Sequence, residues 1–446
     1  MDYNKNIDDF AVITVEDVQN LKMIKPAPSQ KVYVKKYQQN FTFQSNNKEP
    51  DNGVTVIGNW VMDTPESYKA SWFASPYSVS SQAINLQKGY DYATLKKKPF
   101  IIDGEFFVGG RDQQFDSVQN EKTALILRSD SILKFSPNAK LKVIDNNYTN
   151  YNVLVARNVF NVQVLNAKLV GDRVKHTYTS GSTHEWGYGI ALYDGIKNIK
   201  IINPIIQDMT GDGIYIGREW GSKNTSHPKN VDIISATIER VRRNGITLSA
   251  GENVKIIKPL ITDVSLKYNS VAPSAAIDIE PEEYQKSTPS TLKNCIIDSL
   301  TTVRVRSPIQ VNVSKMGRFI DVNFIGKTKL LDSESSAVIF LYDKTKESKS
   351  TKGRIIIDDL NIKGSHFSPN FALNQENFKF IINNLTVEKD ITMYMLDNST
   401  RKYKGVYIKN IHTNKDVKAI YNFDYSKIKP MKPNYYINYP VSLKLK

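Results

Sequence analysis

A short unit recurs along the chain, in which an asparagine or aspartate near the start is followed by alternating aliphatic residues and then by a polar break. Clear copies occupy residues 161–171, 198–208, 230–240, 253–263 and 292–302, and weaker copies occupy residues 318–326, 354–364, 378–388 and 405–413. Alternating, β-branched runs of this length predict strands. The clear copies start about 23 to 39 residues apart, a spacing typical of a solenoid of stacked repeats.

A second, glycine-rich unit lies between these copies, at residues 187–194, 211–218, 244–251 and 275–282. Two or three strands per repeat without a helical pattern predict one coil of a parallel β-helix, in which equivalent residues of successive coils form columns. Alternation predicts two aliphatic columns that point inward. They are Ile190, Ile214, Ile246 and Ile277, and then Leu192, Ile216, Leu248 and Ile279.

Three further columns are predicted to face outward. They are Gly189, Gly213, Gly245 and Ala276; then Ala191, Tyr215, Thr247 and Asp278; and then Tyr193, Gly217, Ser249 and Glu280. Small residues beside polar and aromatic ones predict a shallow trough along the axis, because a missing side chain lets a ligand approach the backbone. Such a trough suits an extended polymer.

The N-terminal quarter of the chain has a different pattern. Residues 12–21 predict a strand and a short helix, and residues 32–37, 41–44 and 52–62 predict further strands. Helical spacing follows in residues 80–98, and residues 99–110 predict a pair of strands around Asp103-Gly104. A solenoid has an open hydrophobic end, so we expect this atypical segment to cap it.

Composition narrows the classes of function. The 446 residues include 60 Lys+Arg and 45 Asp+Glu, a net charge of +15, with 40% hydrophobic and 24% charged residues, as in a globular protein. No apolar stretch is long enough to span a membrane and no basic segment precedes an apolar one near the start, so we expect no membrane partner and no signal peptide. The single cysteine, Cys295, excludes an internal disulfide.

The two basic residue types are distributed differently. Lysine is spread over the whole chain, whereas arginine concentrates in the middle, at Arg173, Arg218, Arg240, Arg242, Arg243, Arg304 and Arg306. Because arginine offers carboxylates a planar fork, this clustering predicts a localised site for an acidic ligand. We expect no nucleic-acid partner, because the sequence has no recognition-helix or RNA-binding motif.

Two segments resemble a known family. VITVEDVQNLKMIKPAPSQKVYVKKY, continuing to DNGVTVIGNW, resembles the segment that opens the main domain of many bacteriophage tailspikes. TALILRSDSILKFSPNAKLKVI and the stretch from YNVLVARNVF to TGDGIYIG resemble the β-helix of tailspike capsule depolymerases and other pectin-lyase-like proteins. The resemblance covers roughly residues 10–285 and is strongest over 123–217. The sequence departs from the tailspike pattern at one place. In the family a glycine-rich stretch often follows the first conserved strand, and this chain has QQNFTFQSNN there.

The resemblance implies an all-β, right-handed parallel β-helix that forms a homotrimer and cleaves a bacterial surface polysaccharide without a cofactor. It implies a protein of the virion tail that acts outside the host cell. We expect the chain to lack the long attachment domain of the family, so that it either contacts other tail proteins through its short N-terminus or is an isolated or bacterial relative. The corresponding regions are a tail-attachment or capping region at 1–118, a catalytic β-helix at 119–390 and C-terminal strands for trimerisation at 391–446.

Glycoside hydrolysis needs two carboxyl groups, one that protonates the leaving oxygen and one that acts as base or nucleophile. Glu185, just before the first trough strand, and Asp212, one coil later, are the candidate pair. Asp278 is a further catalytic candidate, and Glu280, which also faces outward, is a candidate for substrate binding; a second acid/base pair or a cation site is an alternative for the two. Structural alternatives remain: Glu185 could pair with an arginine, Asp212 could be a turn residue stacked on Asn244, and the last two could be exposed surface.

Other residues are candidates for substrate binding. Arg243 is the preferred partner of a substrate carboxylate, with Arg173, Arg218 and Glu239 in support. The aromatic candidates for stacking on sugar rings are Trp186, Tyr188, Tyr215 and Trp220. His176 and His184 could assist proton transfer, and neither has a metal-binding spacing, so we expect no metal site.

Three alternatives use the same fold. A lyase acting on a uronic-acid polymer would use Arg243 to neutralise the carboxylate and a His, Tyr or Lys to remove the adjacent proton. A calcium-dependent pectate lyase or an alginate epimerase is disfavoured, because the sequence lacks paired GDD-type acids and an Asp-Pro-His motif. An adhesin would only bind the glycan. Hydrolysis is favoured because carboxylates outnumber convincing bases around the trough.

Overall fold

The computed structural model describes most of the chain up to residue 388 and short segments beyond it. The described residues are 13–109, 122–219, 226–266, 270–281, 290–312, 319–335, 337–341, 351–364, 377–388, 392–395, 406–413 and 418–421. Trp220 and most of the predicted C-terminal region 391–446 lie outside them, and the predicted region boundaries stay predictions. Within the described ranges no helix is long and apolar enough to cross a membrane.

Parallel strands stack into a β-helix, as predicted, and two long sheets form its sides. We call one the front sheet. Its strands are Lys122–Ile126, Asn150–Ala156, Trp186–Leu192, Ile214–Ile216, Ile246–Leu248, Ala275–Ile279, Ser307–Asn312 and Val338–Leu341. A typical coil contains one front-sheet strand and then two strands of the other sheet, such as Lys197–Ile202 and Ile205–Gln207.

We call the other sheet the long sheet. It begins with Tyr68–Lys69, Phe100–Ile102, Glu105–Val108, Ser131–Phe135, Lys140–Val143, Phe160–Leu165, Lys168–Val170, Lys197–Ile202, Ile205–Gln207, Lys229–Ile234 and Thr237–Glu239. It continues with Gly251–Ile257, Leu260–Thr262, Thr291–Asp298, Thr301–Val303, Phe319–Leu331, Lys352–Lys363, Phe378–Val387 and Val406–Thr413. Thr392–Met395 and Lys418–Tyr421 pair separately.

The predicted inward columns are confirmed by the register of the front sheet. Ile190 pairs with Ile214, Ile214 with Ile246, and Ile246 with Ile277. These side chains and those of the Leu192 column have no exposed surface and belong to one continuous core. Each coil therefore buries its aliphatic residues against the coils above and below it, where a side chain of this size stabilises by about 1.5–3 kcal/mol.

The glycine column was predicted to face outward, and this prediction is wrong. A Cβ on Gly189 would lie 2.7 Å from Cγ2 of the buried Ile206, and a Cβ on Gly213 would lie 2.6 Å from Cγ2 of Ile238. The same positions also approach a backbone carbonyl of the next coil. Glycine is required here because the chain bends into the interior, so this column does not form the floor of a trough.

The asparagines of the repeats form a ladder. Asn161, Asn198, Asn230, Asn253 and Asn294 all have φ between 53° and 58°, a left-handed conformation that asparagine tolerates better than most residues. The side-chain amide of each donates to the side-chain oxygen of the one before it, over 2.7–3.1 Å. The ladder explains why the sequence unit carries asparagine near its start.

The N-terminal elements were largely predicted. A small sheet contains Ile13–Val15, Lys31–Val34, Gln39–Phe43, Val56–Ile57 and Trp60–Met62, and a 3-10 helix spans Val18–Met23. Two α-helices follow at Ala70–Phe73 and Ala83–Leu95. Phe100–Ile102 and Glu105–Val108, predicted as a pair, pair in parallel with later strands instead. Asp103-Gly104 is therefore a corner of a coil.

The helix Ala83–Leu95 packs against the first strand of the front sheet. The Gln87 side-chain amide donates to the Ile126 carbonyl at 3.1 Å and accepts from the Ile126 N–H at 2.7 Å. Tyr90 Oη lies 2.6 Å from Ser131 Oγ. Gln87 thus makes the two hydrogen bonds that a preceding strand would otherwise make, as expected of a capping segment.

Removing this amide should destabilise the fold. We expect Gln87→Ala to lower the free energy of unfolding by about 1–3 kcal/mol, because it leaves a buried N–H and C=O without partners. Denaturant unfolding of Gln87→Ala beside Lys88→Ala, an exposed position on the same helix, measures the difference. Equal stability of the two variants would show that the amide contributes nothing.

Candidate functional site

The outer face of the front sheet carries the polar residues predicted for the trough. Ala191, Tyr215, Thr247, Asp278 and Gln310 occupy successive paired positions in one column. The predicted register is therefore confirmed. All five are buried, so this column lies beneath the surface that solvent reaches.

Asp212 is the centre of a buried hydrogen-bonded cluster. Its carboxylate accepts from Arg243 Nη1 at 2.9 and 3.2 Å, from the Asn244 N–H at 3.1 Å and from Thr247 Oγ1 at 2.7 Å. Asn244 Nδ2 donates in turn to Thr247 Oγ1 and Asp278 Oδ2. We call these five residues, together with Glu185 and Gln310, the polar network.

The ion pair within this network is desolvated. Asp212 has no exposed surface, and only 11% of the Arg243 side chain is exposed. Burial alone would lower the pKa of Arg243, but the adjacent Asp212 carboxylate raises it well above its usual value. The contact between Asp212 and Asn244 matches the structural alternative for Asp212, a turn carboxylate stacked on the next coil. Asp212 therefore holds Arg243 and cannot itself touch a substrate in this structure.

Glu185 is the solvent-facing end of the polar network. Its Oε2 lies 3.4 Å from Arg243 Nε, and its Oε1 accepts from Thr183 Oγ1 at 3.1 Å. The Glu185 side chain is 20% exposed, and the next residue, Trp186, is 46% exposed. A fixed carboxylate and an accessible aromatic residue are thus neighbours in sequence at the start of a front-sheet strand.

Asp278 and Glu280 differ in exposure although both are on the outer face. Asp278 is fully buried and accepts from Asn244 Nδ2 and Gln310 Nε2, both at 3.1 Å. Burial, and then the nearby Glu280 carboxylate, raise the pKa of Asp278 well above its usual value. Glu280 is partly exposed and accepts from Asn312 Nδ2 at 2.6 Å. Of the two, only Glu280 is placed to contact a ligand.

The raised pKa of Asp278 makes a prediction about stability. A carboxyl group whose pKa is raised by folding is most favourable at low pH, and its contribution falls as the pH rises from the usual value of 3.8 through the folded value. Asparagine resembles the neutral form. We expect Asp278→Asn to raise the free energy of unfolding by about 1 kcal/mol or more near pH 8 and to change it little near pH 4.

Unfolding curves at the two pH values, with the partly exposed Asp232→Asn as a control, measure this effect. A variant that is less stable than the wild type near pH 8 would contradict the prediction. If Asp278→Asn also abolished a glycan-cleaving activity, Asp278 would need to be a participant in the chemistry despite its burial.

The segment that leads into Glu185 is stabilised by its own buried groups. We call residues 171–185 the histidine loop. His176 Nδ1 lies 2.8 Å from Asp172 Oδ2, and His176 Nε2 lies 2.8 Å from His184 Nδ1. Both histidines are buried, so the structure places them within the loop and away from a surface substrate. Arg173, also buried, donates to the Leu266 carbonyl at 3.5 Å.

The two predicted tyrosine platforms pack against each other. The rings of Tyr188 and Tyr215 are stacked, with centroids 5.1 Å apart and an interplanar angle of 6°. Both are buried, and Tyr215 Oη donates to the Arg218 carbonyl at 3.1 Å. The buried Arg218 has its Nε 3.6 Å from Asp194 Oδ1. These residues support the outer face instead of forming its accessible surface.

Glu239 is not part of this site. It lies in the long sheet, where its carboxylate pairs with Arg240 at 2.9 Å and accepts from Gln207 Nε2. The structure therefore does not place Glu239 beside Arg243: Glu239 bonds to Arg240 and Gln207, whereas Arg243 lies at the coil corner before Ile246–Leu248.

Sequence reasoning did not assign a role to Arg242. Its Nη1 donates to the carbonyls of Thr183, His184 and Thr210, at 2.8, 3.1 and 3.3 Å, and its guanidinium lies 4.4 Å from the Tyr178 ring centroid. Arg242 thereby joins the histidine loop to the next coil. The adjacent arginines in ERVRRNGI were a usable signal, since neighbouring residues at a coil corner can serve two different partners.

Comparison with curated proteins finds relatives without an assigned activity. No family model matches the chain. It is similar to the uncharacterized protein YclG of Bacillus subtilis (strain 168), 30% identical over 200 residues, which is 44% of this chain and 33% of YclG. It is also similar to the SPbeta prophage-derived uncharacterized protein YorA of the same strain, 26% identical over 305 residues, 62% of this chain and 50% of YorA. The chain thus spans between a third and a half of their length.

Comparison with solved structures finds a protein with a similar fold. The chain is similar to the tailspike protein gp49 from Acinetobacter baumannii bacteriophage Fri1, a capsular polysaccharide depolymerase, with a TM-score of 0.57 and 14% identity. The match covers 92% of this chain and 76% of that chain. It confirms the tailspike resemblance of the sequence at the level of the fold.

Proposed function

We propose that this protein is a tailspike-type depolymerase that cleaves glycosidic bonds in a bacterial surface polysaccharide, with Glu185 as a catalytic carboxyl group. The observation that carries the proposal is the partly exposed Glu185 carboxylate, fixed at 3.4 Å from Arg243 Nε. Trp186, the next residue, is exposed and offers a ring on which a sugar can stack. The fold shared with a polysaccharide-degrading tailspike supports the same substrate class.

Two carboxyl groups are needed for hydrolysis, and exposure separates the candidates. Asp212 and Asp278 are fully buried, so we assign Asp212 a positioning role through Arg243. Glu280 lies on the same outer face and reaches solvent. Glu280 lies three front-sheet strands away from Glu185 and at the opposite end of those strands, farther than the roughly 5–9.5 Å that a catalytic carboxyl pair needs. We therefore propose that Glu280 contacts the substrate, and we assign no second catalytic carboxyl group.

The existing ion pairs and hydrogen bonds of the residues that a lyase would use support hydrolysis over elimination. Arg243 is already paired with Asp212 and Glu185, so its guanidinium is not available to neutralise a uronic acid. His176 is bonded through both ring nitrogens, and Tyr215 Oη donates to a backbone carbonyl. Each proposed base or carboxylate partner of a lyase is thus engaged within the protein.

The remaining assignments concern assembly. We propose that the chain acts as a homotrimer in a virion tail, outside the host cell, and contacts other tail proteins through its N-terminal region. The likeness to a phage tailspike and to a prophage-derived protein supports a phage origin. Size-exclusion chromatography with light scattering tests the trimer directly.

The activity is tested on purified acidic and neutral capsular polysaccharides. Fragment size, new reducing ends and the ultraviolet absorbance of unsaturated uronic acids are followed together for the wild type and Glu185→Gln. New reducing ends without absorbance, lost in the variant, are the expected result. Fragments that absorb would establish a lyase and contradict hydrolysis, and tight glycan binding without cleavage would contradict an enzyme.

A further inference from the structure

His184, directly before Glu185, has an unusual backbone conformation. Its φ of 49° lies in the left-handed region, which costs a residue with a Cβ on the order of 1–3 kcal/mol. Such a conformation persists only when the surroundings hold it in place. In this case the strained residue immediately precedes the carboxylate to which we assign catalysis.

Five contacts hold His184, and one of them is between its Nδ1 and the Tyr148 carbonyl, 3.3 Å apart. The Thr179 N–H donates to His184 Nε2 at 3.1 Å, and Thr179 Oγ1 lies 2.7 Å from the same nitrogen. His184 Nδ1 lies 2.8 Å from His176 Nε2. Arg242 Nη1 donates to the His184 carbonyl at 3.1 Å. Ring and backbone are therefore both fixed, and the direction in which the chain enters the front sheet is fixed with them.

These contacts define the proton positions in the histidine pair. A backbone N–H can only donate, so His184 Nε2 is an acceptor and Nδ1 carries the proton. His176 Nε2 must then accept from His184 Nδ1, and the His176 Nδ1–H donates to Asp172 Oδ2. Asp172 is itself held by Tyr151 Oη at 2.9 Å and by the Asn146 N–H at 3.0 Å. The chain of bonds is complete only when both imidazoles are neutral.

We propose that His184 is a positioning residue that sets the orientation of Glu185, and that it does so only while the His176–His184 pair is neutral. This inference rests on the proposed role of Glu185. A proton added to His184 Nε2 would face the Thr179 N–H, two donors would oppose each other, and the histidine loop would release its hold on Glu185.

The surroundings favour the neutral form of His184 near pH 7. Burial, and then the adjacent His176, lower the pKa of His184 from its usual 6.5. The charged and titratable groups that face the pair are Asp172, Tyr151, Tyr178, Arg173 and Arg242. A histidine with a lowered folded pKa takes up its proton more readily when the loop opens. The closed loop is therefore most stable above pH 6.5 and loses stability as the pH falls below it.

The test uses His184→Gly, because glycine adopts this backbone conformation without strain and the loss is confined to the ring. His227→Gln, a change to a partly buried histidine that contacts Thr291, is the control. We expect the kcat of His184→Gly to fall about 10- to 100-fold with little change in KM, as for a misplaced catalytic group. Lowering the pH from about 7 to 5 should reversibly reduce the kcat of the wild type. The kcat of His184→Gly should not show this additional decrease, because the variant has already lost the ring contacts that protonation breaks.

A second measurement, the quenching of tryptophan fluorescence, does not depend on enzymatic activity. Acrylamide quenching of each protein and of its Trp186→Phe counterpart isolates the accessibility of Trp186, which should rise in His184→Gly and in wild-type protein at acid pH. Unchanged quenching and kcat in His184→Gly would overturn the inference while leaving the role of Glu185 intact. If no polysaccharide is cleaved at all, the quenching result still decides whether His184 holds this segment.

Discussion

Glu185→Gln is expected to reduce polysaccharide cleavage by about 10²- to 10⁴-fold, the range for loss of a general acid or base. The amide keeps the size of the side chain, so it can still contact Arg243 Nε and Thr183 Oγ1. It can no longer accept or release the proton that the reaction needs. Initial rates of reducing-end formation under saturating polymer measure the loss.

The fold should be almost unaffected by this change. Glu185 is partly exposed, and partly exposed ion pairs contribute about 1 kcal/mol or less. Glu252→Gln is the matched control, because Glu252 is also partly exposed and also pairs with a cation, Lys229 Nζ at 3.1 Å. Loss of activity in both variants, or full activity in Glu185→Gln, would contradict the assignment of Glu185.

Breaking the buried pair of Asp212 and Arg243 should have the largest effect on stability. Either Asp212→Asn or Arg243→Met leaves a charge in the interior without its partner, which costs about 3–5 kcal/mol. The double variant should lose less than the sum of the two, because the uncompensated charge is then absent. Denaturant unfolding of the wild type, the two single variants and the double variant measures the coupling.

Arg240→Met is the control for this cycle. Arg240 makes a two-bond contact with Asp208, at 3.0 Å for each bond, but its side chain is 39% exposed. We expect its removal to cost about 1 kcal/mol or less. Additive losses from Asp212→Asn and Arg243→Met would show that the two side chains do not act as a pair.

The parts of the fold that follow from period-two alternation could be predicted from sequence. Ile190 and its partners in the next coils must be buried, because no other arrangement removes all of them from water at once. The direction of Gly189 could not be predicted, because Gly189 and Ile190, consecutive residues within the strand Trp186–Leu192, both face inward. Alternation does not encode two consecutive inward-facing residues.

The candidate site was harder to predict than the inward-facing aliphatic columns. Sequence placed Asp212 and Asp278 on the outer face, but exposure on that face depends on side chains from neighbouring coils and loops. Arg243 was assigned to a substrate carboxylate because the pairing of Arg243 with Asp212 is a contact between residues 31 positions apart. Glu239 was misplaced because it is the last residue of a long-sheet strand and bonds to Arg240 and Gln207, whereas Arg243 lies in the following coil corner.

A strand at the end of a parallel stack can pair with the strand of another molecule, and repeated pairing of this kind produces fibres. Gln87 occupies the N–H and the C=O of Ile126 in the first strand of the front sheet. A foreign strand would have to displace this amide and the helix that carries it. The same two hydrogen bonds that stabilise the fold therefore protect the protein against self-association through this edge.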